Sequence, residues 1–180
     1  GTRQSGVISM AMELPASRST AYQAGNFALF LAAAAILGAW GFEYAGYPPC
    51  HLCLMQRWAY YAGIPALFAA LALLSGGKRR AAMWLFALTA LAFLANSGLG
   101  VYQAGAEWKF WPGPDTCTGT QAMATSAGDL LKKLETVTVI RCDEAAIRIF
   151  GLSLAAWNAI VSFVIFAAAL RAALAASEPH

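Results

Sequence analysis

Charge is what this sequence has least of. Of its 180 residues only 12% are Asp, Glu, Lys or Arg, while 59% are hydrophobic. A soluble domain of this length needs far more charge to cover its surface, so the composition points to a membrane protein. Long basic runs are missing too. None exceeds Lys78-Arg79-Arg80 and the net charge is only +3, which gives no reason to expect nucleic-acid binding. There is no internal repeat and no low-complexity tract beyond alanine-rich stretches, which fits one compact membrane domain. Cysteine is sparse: Cys50, Cys53, Cys117 and Cys142 are all there are.

The few charges divide the chain. Residues 19–42, 58–77, 81–106 and 149–170 carry none. About 20 apolar residues at roughly 1.5 Å rise cross a hydrocarbon core of about 30 Å. The spacing therefore predicts an all-α membrane protein, a bundle of four transmembrane helices near 24–42, 54–74, 81–103 and 151–172. Each helix can satisfy its own backbone polar groups in lipid. Residues 1–23 are polar and irregular and are expected to form a disordered N-terminal tail that can include residues added for expression. The apolar run after Arg18 is too long for a signal-peptide core, so no cleaved signal is expected there. Residues 173–180 are expected to be a C-terminal tail.

Lys and Arg set the orientation. Arg3, Arg18, Lys78, Arg79, Arg80 and Arg171 lie in the N-terminal region, the 75–80 turn and the C-terminal region, against Glu13 and Glu178. The loop at 43–53 has no Lys or Arg. The long loop, 104–150, balances Lys109, Lys132, Lys133, Arg141 and Arg148 with a similar number of acidic residues. Both termini should face the cytoplasm and both cysteine-bearing loops the opposite compartment, in a bacterium the periplasm. Trp40, Tyr44, Tyr47, Trp58, Tyr60, Tyr61, Trp108, Phe110 and Trp111 cluster at the expected boundaries, where Trp and Tyr favour the headgroup level.

All four cysteines then lie outside the cytoplasm, where disulfides persist. Cys50 and Cys53 are close enough to pair locally, and Cys117 and Cys142 share the long loop, but four cysteines allow three pairings. A zinc site is disfavoured, because a Cys-x-x-Cys half-site usually faces a second tight pair and here the second is wide; no metal is expected. Attachment of a c-type haem needs His after the second cysteine, and residue 54 is Leu.

The segment "YPPCHLCLMQRWAYYAG" at 47–63 carries the chemistry. Pro48 and Pro49 force an extended approach. The second helix can begin just after them, with Cys53 in its first turn, where unpaired N–H groups and the helix dipole stabilise a thiolate. Arg57, four residues on, shares that helix face and favours the thiolate as well. An arginine at the edge of hydrocarbon is costly and marks a functional site by default. The bland alternative is a snorkelling anchor. An exchange-active pair there can pass electrons to a lipid-dissolved quinone, which a fixed cation would hold.

At these residues the chain resembles the DsbB-type disulfide-bond-forming membrane proteins. The resemblance spans roughly residues 25–172. It rests on "PPCHLCLMQRWAYYAG", on "GVYQAGAEWKFWPGPDTC" leading to Cys117, on the distant Cys142, and on "GLSLAAWN" at 151–158. It implies a quinone-dependent thiol oxidase of the bacterial inner membrane. Such an enzyme reoxidises a periplasmic DsbA-like protein of thioredoxin fold and uses ubiquinone or menaquinone as cofactor. It also implies roles by position. Cys50 and Cys53 match the quinone-coupled pair, with Cys53 next to the ring, and Arg57 matches the quinone-contacting arginine. Cys117 matches the cysteine that forms a mixed disulfide with the partner, and Cys142 its loop mate. The segment "AGDLLKKLETV" at 127–137 has the pattern of a short amphipathic surface helix.

Two other readings compete. A vitamin K epoxide reductase-like enzyme also combines four helices, loop cysteines and a quinone, but its Cys-x-x-Cys follows the loop pair, whereas here it precedes it. A non-enzymatic four-span protein with two structural disulfides leaves Arg57 beside Cys53 unexplained.

Overall fold

The computed structural model describes residues 16–46, 51–112 and 148–177. Within them the chain forms four long helices: α1 (Ala16–Tyr44), α2 (His51–Ser75), α3 (Arg79–Glu107) and α4 (Leu154–Ser177). A two-stranded antiparallel hairpin, β1 (Arg148–Ile149) and β2 (Leu152–Ser153), precedes α4. All four helices are long and apolar enough to cross a membrane, so the four-span all-α bundle expected from the charge spacing is the fold. The helices alternate in direction around a ring in which α1 packs on α2, α2 on α3, α3 on α4 and α4 back on α1. The α3–α4 interface is the most extensive and the α1–α2 interface the least.

Small residues let the helices approach closely, which is how helices associate in lipid. Ala28, Ala32, Ala82, Ala90, Ala169 and Ala172 lie in the core around the fully buried Phe86, Phe93, Leu67 and Ile165. Gly100 marks a close backbone crossing. A Cβ there would stand 2.9 Å from the Ala159 Cβ and 3.0 Å from the Ala155 carbonyl oxygen across the α3–α4 seam. Large apolar side chains such as Phe30, Phe68 and Trp84 point outward instead, as a lipid-facing surface requires.

The helices outrun the expected spans at several ends, because the charges taken as boundaries are accommodated inside them. The expected disordered tail does not extend to residue 23: α1 already begins at Ala16. Arg18 sits in its first turns and donates to the Leu74 carbonyl at the end of α2, 3.2 Å. Likewise α4 continues through the expected C-terminal tail to Ser177, and Arg79 Nε donates to its Ala176 carbonyl, 3.1 Å. At the other end α3 reaches Glu107, whose carboxyl is taken up by Gln103.

The α2–α3 connection closes through Gly77. This residue adopts φ 80°, while Gly77 N–H bonds Leu74 O and Lys78 N–H bonds Leu73 O. That is a helix stop built on a left-handed residue, which glycine reaches without steric cost. The fold thus gathers Arg18, Lys78, Arg79 and Arg80 at one end of the bundle. Glu43, Cys53, Gln103, Glu107 and Ser153 collect at the other.

Candidate functional site

Of the five site residues read from the sequence, the described residues contain two, Cys53 and Arg57. Cys50, Cys117 and Cys142, and the 127–137 segment, lie outside them. Cys53 is the third residue of α2, in its first turn as expected. Its sulfur faces the side-chain amide of Gln103 near the end of α3, with Nε2 at 3.4 Å and Oε1 at 3.8 Å.

Arg57 stands one turn further along α2 and reaches the other way, to α1. Nη1 pairs with Glu43 Oε2 at 2.6 Å, and Nη2 donates to the Ala39 carbonyl at 3.5 Å. The Arg57 side chain is 11% exposed and that of Glu43 45%. The i, i+4 spacing thus puts the sulfur and the guanidinium on one stripe that bridges α1 and α3. The ion pair was not anticipated. Glu43 was visible only as the charge that ends the first span.

A chain of six polar side chains, all buried but the half-buried Asn158, extends from the sulfur into the bundle. Gln56 Nε2 donates to Gln103 Oε1 at 2.7 Å, and Asn158 Nδ2 on α4 donates to Gln56 Oε1. Tyr60 O–H donates to Asn158 Oδ1 at 2.7 Å and lies 3.3 Å from Ser162 Oγ, which accepts from Asn96 Nδ2 at 2.8 Å. Tyr60 was expected in the aromatic belt. Instead it is buried, its ring edge-on to Phe93. In hydrocarbon an unpaired amide or hydroxyl is costly. The appearance of Gln56, Asn96, Gln103 and Asn158 inside otherwise apolar spans was the signal that could have found this network.

Glu107 closes the site from the loop side. Its carboxyl is 7% exposed. Oε1 accepts from Gln103 Nε2 at 3.3 Å, and the Ser153 hydroxyl and the Arg148 charge also act on it. The β1–β2 hairpin brings these last two residues in. Its two-residue turn, Phe150-Gly151, has φ of 52° and 80°, the pairing a tight antiparallel hairpin favours. Trp157 Nε1 donates to Ile149 O at 2.9 Å and pins the hairpin to α4.

Beyond Glu107 the chain doubles back. Lys109 takes φ 63°, Phe110 N–H bonds Gly105 O at 2.9 Å, and Trp111 folds over Gly105 so closely that any Cβ there would collide with its ring. Tyr102 stacks on Trp111, and Tyr61 contacts both Trp40 and Trp58 on the α1–α2 side. Among the described residues the expected aromatic clustering at this end of the bundle is present, Tyr60 excepted; Tyr47 lies outside them.

Chemically, the arrangement offers a sulfur at a helix N-terminus with an amide N–H directed at it, and a cation one turn away. The residues are compatible with the quinone that the sequence resemblance implies. The Arg57 fork retains N–H donors beyond those engaged, its carboxylate partner is half exposed, and the surrounding surface is aromatic. Comparison with family models matches residues 23–172 to a model described as "Disulfide bond formation protein DsbB". Comparisons with curated proteins and with solved structures give no match.

Proposed function

The chain belongs to the DsbB family, multi-pass membrane proteins of disulfide bond formation, and on that premise we propose that it oxidises a periplasmic DsbA-like protein of thioredoxin fold and passes the electrons to a membrane quinone. The observation that carries this reading is the placement of Cys53 at the membrane edge of α2, held by Gln103 on one side, with the Arg57 cation one turn deeper. A purely structural disulfide needs neither an oriented donor on its sulfur nor a charge at the edge of hydrocarbon.

In this mechanism the Cys117–Cys142 disulfide is attacked by the partner's thiolate through a mixed disulfide at Cys117. Resolution leaves the partner oxidised and the loop pair reduced. Exchange with Cys50–Cys53 then moves the two electrons and two protons to that pair. A quinone, when bound, would supply the two-electron, two-proton acceptor that regenerates the Cys50–Cys53 disulfide. Cys53 would be the sulfur facing it, its thiolate stabilised by the helix N-terminus and by Gln103. Arg57 would hold the quinone oxygen with its fork, a charge-assisted contact where negative charge would develop. The basic end of the bundle, with both termini, faces the cytoplasm of a bacterial inner membrane, and the Cys53 end faces the periplasm.

The test is quinone reduction by the purified protein in detergent, driven by a reduced thioredoxin-fold donor. Loss of quinone absorbance that depends on both the donor and Cys53 supports the proposal. Disulfide exchange with the donor, without quinone reduction, overturns the second half of it.

A further inference from the structure

The amides between the helices form a chain with a direction. We propose that Tyr60, Asn158, Gln56 and Gln103 are a one-way hydrogen-bond relay that delivers a polarised N–H to Cys53 and so sets how much of its sulfur is thiolate. Gln103, which touches the sulfur, acts on it directly; the other three are positioning residues.

The direction follows from counting hydrogens. A tyrosine hydroxyl has one to give, and that of Tyr60 goes to Asn158 Oδ1. The contact between Tyr60 and Ser162 must therefore run from Ser162, whose oxygen accepts from Asn96 Nδ2. Asn158 then donates to Gln56, Gln56 to Gln103, and Gln103 Nε2 to the Cys53 sulfur. Each of these O–H and amide N–H bonds points toward Cys53, whose own S–H, while protonated, faces Gln103 Oε1 at 3.8 Å.

Glu107 fixes this sense. Its Oε1 takes the other Nε2 hydrogen of Gln103 at 3.3 Å. Turning the amide over would set the Gln103 oxygen against a carboxylate oxygen, cost Glu107 this donor, and set the Gln103 amide against the donating amide of Gln56. Successive donors polarise one another in a low-dielectric interior. Gln56, Gln103 and Ser162 are all buried, so the last N–H offers more to a thiolate than an isolated amide would. The chain ties α2 to α3 and α4, which places one of its members, Asn158, more than a hundred residues from the sulfur it serves.

The inference rests on Cys53 being a working sulfur, as proposed above, but its test needs neither quinone nor partner. The full chain with Cys50→Ser, Cys117→Ser and Cys142→Ser leaves Cys53 as sole thiol, and its alkylation by iodoacetamide is followed at near-neutral pH and at alkaline pH where every thiol is ionised. A less stabilised thiolate is rarer at neutral pH yet more nucleophilic, so the ratio of the two rates isolates the thiolate fraction from access and intrinsic reactivity.

Gln103→Met, close in shape, should lower that ratio roughly tenfold, the size expected for one hydrogen bond to a charged group. Asn158→Leu, remote from the sulfur, should lower it by about two- to threefold, through the share of polarisation the chain carries. Helical circular dichroism and monodisperse elution identify folded variants, and Tyr60→Phe, which removes only the hydroxyl, replaces Asn158→Leu if that variant misfolds. An unchanged ratio in folded Gln103→Met overturns the donor role. A drop in Gln103→Met with wild-type behaviour in the remote variant overturns the relay. Either result leaves the quinone assay free to stand or fall alone.

Discussion

Neutralising Glu43 asks what the ion pair does to Arg57. The carboxylate lies 2.6 Å from Nη1, but its side chain is 45% exposed, against 11% for the arginine. Such a half-exposed pair is worth at most about 1 kcal/mol, not the several kcal/mol of a fully desolvated one. Glu43→Gln keeps the shape and an acceptor oxygen, and Ala39 O still holds Nη2, so the fork stays aimed while its compensating charge is gone. If the carboxylate competes with a quinone oxygen for the guanidinium, the apparent quinone KM should fall by up to about fivefold, with kcat unchanged. Arg57→Met should instead raise KM by about 10- to 100-fold, the worth of a charge-assisted hydrogen bond. The double variant should match Arg57→Met alone, because Glu43 acts only through Arg57. Steady-state quinone reduction with saturating donor reads all three. A KM that rises in Glu43→Gln as it does in Arg57→Met would refute the reasoning and make Glu43 the group that aims the arginine.

Cys142→Ser should trap a mixed disulfide between Cys117 and the thioredoxin-fold partner, seen on non-reducing gels; trapping only through Cys50 or Cys53 reverses the order of transfer. Redox titration should place the Cys50–Cys53 pair above about −300 mV, the range below which structural disulfides lie; a lower value marks a structural bridge. Reporter fusions after Ser75 and after Gly128 should report opposite sides of the membrane, and agreement between them contradicts the orientation. Gly100→Val should lower the thermal midpoint in detergent, since its Cβ would crowd Ala159 at 2.9 Å, at a cost of about 1–3 kcal/mol; an unchanged midpoint means the α3–α4 seam can open.

The four spans were legible because hydrocarbon tolerates so little charge that each charged residue reads as a boundary. The ends were less legible for the same reason. Arg18 and Glu107 look like stops, but the fold satisfies both, one with the Leu74 carbonyl and the other with Gln103, and the helices run past or up to them. Cys53 and Arg57 could be placed because helical spacing is local: four residues after Pro49 and four more along the same face follow from the chain itself. The partners of that pair could not. Gln103 and Asn158 meet Cys53 and Gln56 only because α3 and α4 close on α2, and nothing near residue 53 encodes that. Their polarity within apolar helices marked them as exceptional without saying whom they face. Tyr60 misled for a related reason. A tyrosine one turn inside the membrane suits the headgroup belt and a buried hydroxyl acceptor equally well, and the presence of Asn158 and Ser162 decides between them.

The most direct measurement of the central claim is a single turnover: the oxidised protein, quinone-loaded in detergent, mixed with a limiting amount of reduced thioredoxin-fold donor. The account predicts quinol formed in equal amount to donor dithiol consumed, and that Cys53→Ser abolishes quinol formation while Cys117–Cys142 still exchanges with the donor. Quinol formation that persists in Cys53→Ser, or donor oxidation with no quinol in the intact protein, would contradict it.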